Sequence, residues 1–130
     1  MIYNQVLDIA NSLNIDSLSK NRILLLDSLS GYIQNKKELN ESINLNFICT
    51  HNSRRSHLAQ IWAQTMAAYF NIQHVYCFSG GTEATYIYET TKKTLEEQGF
   101  IFKIKKKESN PTYQIFFSNT ENPINGFSKV

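Results

Sequence analysis

Ile43, Leu45, Phe47 and Ile48 lead into Cys49, and there the chain changes character. The apolar run has the texture of a buried strand. A polar stretch, Thr50 to Arg55, follows it. Next comes an amphipathic helix with Leu58, Ile61, Trp62, Thr65 and Tyr69 on its inner stripe. His74 to Phe78 reads as a second strand, ending in the turn Ser79-Gly80-Gly81-Thr82. A further helix is expected over about residues 84–98, with Gly99 as its stop. Strand, helix, strand, helix predicts an α/β sheet with parallel strands.

The flanks read differently. Ile2, Val6, Ile9 and Leu13 fall on one helical face over residues 2–13. Asp16 is the expected cap of a second helix running to about residue 37, with Leu18, Leu25, Leu29 and Tyr32 on one stripe. Packing is the role expected for this helical pair, and residues 1–40 show no chemistry. Beyond Gly99, Phe100 to Lys107 and Thr112 to Phe117 alternate apolar and polar around Asn110-Pro111, which predicts an antiparallel hairpin. A last loop is expected around Asn122-Pro123 and Asn125-Gly126, and Phe127 to Val130 reads as the start of another element. The expected division is a helical extension, residues 1–40, and an α/β domain, residues 43–130.

Composition narrows the function classes. Thirteen basic and eleven acidic side chains leave a net charge of +2, too small for a dedicated nucleic-acid binder. Residues 49–130 nevertheless hold nine basic against six acidic side chains, so an anionic ligand is expected there. The Lys103 to Lys107 run reads as a solvated edge that discourages strand pairing. The longest aliphatic run, Ile23 to Leu26, is far short of a membrane span, and the first basic residue is Lys20, unlike a signal peptide. Two cysteines, Cys49 and Cys77, make no disulfide framework, so a reduced, cytoplasmic protein is expected. Cys77, mid-strand, is expected to be a buried inert thiol. The histidines and cysteines show no paired metal spacing, so neither metal nor cofactor is expected.

The chemistry sits in Cys49-Thr50-His51-Asn52-Ser53-Arg54-Arg55-Ser56. In open α/β sheets ligands bind off the carboxyl ends of strands, where this loop falls. Its backbone N–H groups, over residues 50–55, can converge on one point, and the following helix adds unpaired N–H groups and the positive end of its dipole. An oxyanion is the natural guest. Arg55 can grip two of its oxygens, and Cys49 would lie beneath the central atom as a thiolate. Asn52 suits the left-handed backbone such a cradle needs. Ser56 can hydrogen-bond the thiolate, and Ser79 is placed to pin the loop from the side. His57 is expected on the helix surface near the rim, His51 against the anion or filling the loop, and Tyr86 and Tyr88 as flanking walls.

These residues resemble the low-molecular-weight protein tyrosine phosphatases and the arsenate reductases that share their fold. The family motif, Cys-x-Gly-Asn-x-x-Arg-Ser after a strand, is matched at Cys49, Asn52, Arg55 and Ser56, with His51 where Gly is usual. The likeness extends through Ser79-Gly80-Gly81-Thr82-Glu83 and Lys93 to Phe100, spanning about residues 43–104. It implies a flavodoxin-like parallel sheet, with the N-terminal helical pair and the hairpin as additions. It also implies Cys49 as nucleophile, Arg55 as oxyanion clamp, loop amides as transition-state donors, and supporting roles for Asn52, Ser56 and Ser79.

Two departures bear on activity. Many family members carry a second cysteine where Arg54 stands, and the family's general acid is an Asp well beyond the second strand. Here the only aspartates are Asp8, Asp16 and Asp27, and no Cys follows Cys77. The sequence therefore reads as a truncated member. The leading expectation is a cysteine-dependent phosphatase acting on a phosphomonoester, such as a phosphotyrosine protein. The alternatives are an arsenate reductase relying on an external thiol reductant, or a non-catalytic oxyanion-binding module. Glu83 is the first candidate for a substitute acid. Neither nucleic acid nor membrane is an expected partner, and an exposed sheet edge implies self-association.

Overall fold

The computed structural model describes all 130 residues. Nine elements follow one another: α1 (Asn4–Ser12), α2 (Lys20–Glu38), β1 (Ile43–Cys49), α3 (Arg55–Tyr69), β2 (Val75–Gly81), α4 (Glu89–Glu97), β3 (Ile101–Lys106), β4 (Thr112–Phe116) and β5 (Ile124–Gly126). A short 3-10 turn over Ile15–Ser17 joins α1 to α2. The fold is mixed α/β. The strands form two sheets, a parallel pair β1-β2 and an antiparallel sheet β3-β4-β5. In the parallel pair Ile43 lies opposite Val75 and Cys49 opposite Gly81, joined through α3 in the crossover that parallel pairing requires.

A single doubly wound sheet is not formed. Residues 100–126 carry period-two alternation and short connections, which allow only antiparallel pairing. The expected hairpin is therefore the β3–β4 pair, with Ile101 opposite Phe116. Where a last loop is expected, around Asn122-Pro123 and Asn125-Gly126, β5 adds to β4, with Ile115 opposite Ile124 and Tyr113 opposite Gly126. No helix is long and apolar enough to cross a membrane.

The principal core lies between the helices and the antiparallel sheet. Val6 of α1, Ile61 of α3 and Leu95 of α4 meet Tyr113, Ile115 and Ile124 there. Each such side chain contributes roughly 1.5–3 kcal/mol by leaving water. Trp62 packs edge-on against Phe100 at 5.2 Å and donates its Nε1–H to Gln98 Oε1 at 3.0 Å. The opposite flank of α3 covers the parallel pair. There two glutamines reach the outer edge of β2: Gln60 Nε2 donates to Cys77 O (2.9 Å), Gln64 Nε2 to Val75 O (2.8 Å), and Gln64 Oε1 accepts Cys77 N–H (2.9 Å). The outer edge of β2 is thus partly occupied by side chains, while the outer edge of β1 has no strand beside it.

The helical pair divides in its role. α1 buries Val6 and Ala10, and the bridge between Ile2 and Ser118 ties its approach to the sheet. α2 buries no residue. Its cap is Ser19, whose Oγ accepts Arg22 N–H at 3.1 Å, whereas Asp16 lies in the preceding 3-10 turn. The expected inner stripe, Leu18, Leu25, Leu29 and Tyr32, is exposed, Leu25 by 72%. The cause is visible in Ile23-Leu24-Leu25-Leu26: four consecutive apolar residues circle the helix and give it no single face to bury.

Candidate functional site

β1 ends at Cys49 and α3 begins at Arg55, so five residues make the turn between them. Four successive carbonyls in that turn are claimed from outside. Thr50 O accepts N–H bonds from Thr82 (2.8 Å) and Glu83 (3.0 Å). His51 O accepts Ser128 Oγ–H at 2.7 Å, Asn52 O accepts His57 Nε2–H at 2.8 Å, and Ser53 O accepts Tyr88 N–H at 3.0 Å. With its carbonyls drawn outward, the loop turns its amides inward, the arrangement that binds anions. Asn52 has φ 45°, the left-handed conformation expected of it. Gly81 makes the approach possible: a Cβ there would stand 2.7 Å from both Asn52 N and Thr50 O.

The inward amides of Asn52, Ser53 and Ser56 hydrogen-bond the Cys49 sulfur, and Ser56 Oγ lies 3.0 Å from Sγ. No side chain caps the start of α3, so its first N–H groups stay available to the sulfur and to a ligand. Burial pushes the thiol up, but the Ser56 hydroxyl and the three amides outweigh it and bring the pKa down to about 6. Roughly nine-tenths of Cys49 is then thiolate at neutral pH. Cys77 is the reverse case: it is buried, and burial alone pushes its thiol up to about 11.

Cys49 opens into a cleft of about 640 Å³. Thr50, His51, Ser53, Arg54 and Arg55 line one side of it, and Thr85, Tyr86 and Tyr88 the other. Arg54 stacks over the Tyr88 ring at 4.0 Å. Neither Arg54 nor Arg55 is paired with an acidic side chain, so both charges are free to meet an anion. At the mouth, His51 Nε2 lies 3.3 Å from Glu83 Oε2.

Cys49, Thr50, His51, Ser53, Arg54 and Arg55 therefore share one cleft, with the buried Asn52 and Ser56 directly behind the sulfur. Three expectations change. His57 is fully buried rather than on the surface, because the Asn52 carbonyl needs its Nε2–H. Ser79 is buried in β2, but its hydroxyl accepts Lys129 Nζ–H at 3.1 Å, and the direct pinning of the loop falls to Thr82 and Glu83. The helix expected from residue 84 begins at Glu89, because Thr85 N–H goes to Ser128 Oγ and Tyr88 N–H to Ser53 O. The extended stretch so created brings Tyr86 and Tyr88 to the cleft, where they were expected.

Ser128 and Lys129, reaching the loop from 77 residues away, had no sequence signal; nothing in Phe127 to Val130 marks them. No group of three or more His, Cys, Asp or Glu comes together in a geometry that could hold a metal. Compared with family models, with characterised proteins and with solved structures, the chain shows no match.

Proposed function

We propose that this chain is a thiolate-dependent phosphatase acting on aryl phosphomonoesters. The observation that carries the reading is Cys49, held as thiolate by three backbone amides and a hydroxyl at the base of a cleft with two unpaired arginines. The parallel pair with α3 across it is the part that a flavodoxin-like sheet would share.

The thiolate attacks phosphorus, forming an S–P bond as the ester P–O bond breaks. The bridging oxygen leaves with its electron pair and takes a proton. Water then hydrolyses the cysteinyl-phosphate, releasing inorganic phosphate and restoring the thiolate. Loop amides and Arg55 bind the equatorial oxygens as their charge grows. Tyr86 and Tyr88 offer aromatic walls to an aryl group.

The chain has no Asp after Asp27, so proton delivery to the leaving group rests on Glu83 and His51 at the cleft mouth. Missing acid catalysis costs roughly 10²–10⁴ in rate, and good leaving groups need it least. The test is a rate series from nitrophenyl to alkyl phosphates, with Cys49→Ser as control. Turnover that falls steeply as the leaving group worsens, and vanishes in Cys49→Ser, is expected. Activity that survives Cys49→Ser overturns the reading. Phosphate protection of Cys49 without any turnover assigns the chain to oxyanion binding alone. The loop also suits arsenate; with Cys77 buried and its thiol protonated, that adduct requires an external thiol for release.

A further inference from the structure

The segment Phe127–Val130 crosses behind the loop and is held at several points. Ser128, 1% exposed, donates its Oγ–H to His51 O at 2.7 Å and accepts Thr85 N–H at 2.8 Å. The Asn110 carboxamide holds both main-chain groups of Ser128, donating to its O at 2.8 Å and accepting its N–H at 3.2 Å. Lys129 O accepts Gly81 N–H at 2.9 Å, and Lys129 Nζ donates to Ser79 Oγ and Phe127 O, both at 3.1 Å.

One contact in this set determines the others near the sulfur. Lys129 N–H points at the Asn52 side chain, 2.9 Å away. A backbone N–H can only donate, so the Asn52 atom facing it is Oδ1. The atom facing Ser56, 2.7 Å from its Oγ, is then Nδ2, which can only donate. Ser56 Oγ accepts that hydrogen and has one of its own left, and the partner available for it is Cys49 Sγ at 3.0 Å. The direction of every hydrogen in this series follows from the first donor. If Asn52 turned over, Oδ1 would take the Ser56 hydroxyl hydrogen, and an oxygen lone pair would face the thiolate.

We propose that the main-chain N–H of Lys129 is a positioning group for Cys49, fixing the Asn52 carboxamide so that the Ser56 hydroxyl donates to the sulfur. The proposal rests on Cys49 as nucleophile and adds to it a control residue outside the loop. The Lys129 side chain anchors the segment to Ser79, whereas its amide sets the hydrogen direction.

The test reads the thiol itself, not turnover. Iodoacetamide alkylation of Cys49 is followed against pH in the full chain, in Lys129→Ala, which keeps the amide, and in Lys129→Pro, which removes it. Arg54, Arg55, Lys129, His57, His51, Glu83, Tyr86 and Tyr88 are the charged or titratable groups around the loop. A His51→Asn background therefore accompanies each variant, to separate the imidazole at the mouth. The profile of the full chain and of Lys129→Ala is expected to coincide. Lys129→Pro is expected to move the midpoint up by about one unit or more, making alkylation at pH 6 roughly fivefold slower or worse.

A midpoint unchanged in Lys129→Pro overturns the proposal alone, as does a shift in Lys129→Ala equal to that in Lys129→Pro. An ordinary thiol midpoint in the unaltered chain overturns the nucleophile reading as well. Should Lys129→Pro fail to fold, the unaltered protein decides by NMR. The Lys129 amide resonance should follow the Cys49 titration and lose that response in Cys49→Ser, and a resonance flat through the titration overturns the proposal.

Discussion

His57 is the residue whose position has the clearest effect on stability. Its Nε2–H goes to a carbonyl, so the neutral tautomer leaves the Nδ1 lone pair buried with no partner. Burial, with the Lys129 charge nearby, pushes its pKa down to about 4. The unfolded chain holds a proton on this ring below about 6.5, while the folded chain refuses it until about 4. Folding stability therefore rises with pH across that window, and is lost as pH falls from 6.5 toward 4, by about 3 kcal/mol. Urea titrations between pH 4 and 7 should show this slope, and His57→Gln, which keeps an N–H donor without a titrating ring, should flatten it. An equal slope in the variant would assign the effect elsewhere. In the sequence, the spacing of Cys49, Asn52, Arg55 and Ser56 made the site legible, because loop geometry demands those residue types at those places. His57 was not legible, since its partner is a backbone carbonyl, and a carbonyl leaves no mark on residue identity.

Glycines separate elements under constraint from elements without it. At Gly81, strand β2 and the loop approach so closely that any Cβ meets backbone atoms of Cys49, Thr50 and Asn52 within 2.8 Å. Gly81→Ala should cost about 1–3 kcal/mol by overpacking, and should make Cys49 alkylation slower at pH 6 as the amides are displaced. At Gly31, inside α2, nothing lies within 4 Å of the same added atom. Gly31→Ala should raise stability by about 0.5–1 kcal/mol through helix propensity. Thermal melts of the two variants should move in opposite directions, and a loss at Gly31 would show a neighbour that the isolated chain lacks. At this scale β1, α3, β2 and the β3–β4 hairpin were legible from periodicity. β5 was not, because Ile124-Asn125-Gly126 is too short to show a period and reads as a turn until β4 is placed beside it.

Across the whole molecule, apolar surface is unevenly distributed. Leu24 and Leu25 of α2 are 66% and 72% exposed, and Ile48, Tyr76 and Phe78 stand exposed on the sheet face away from α3. So much uncovered apolar surface favours association between copies. Sedimentation velocity should show the protein gaining mass with concentration, and Leu24→Glu with Leu25→Glu should return it to a monomer without altering Cys49 alkylation. A monomer at all concentrations would refute the expectation. The two glutamines on the edge of β2 set a different limit, one of commensurate lengths. Gln60 and Gln64 are four residues apart, about 6.0 Å along α3, and the groups they meet at Cys77 and Val75 are two strand residues apart, about 6.6 Å. Two such rulers agree over a single division and drift apart by about 0.6 Å with each further one. Each such step also turns the side chain about 40° around α3, so a helix can stand in for a missing strand over only a few rungs of the ladder.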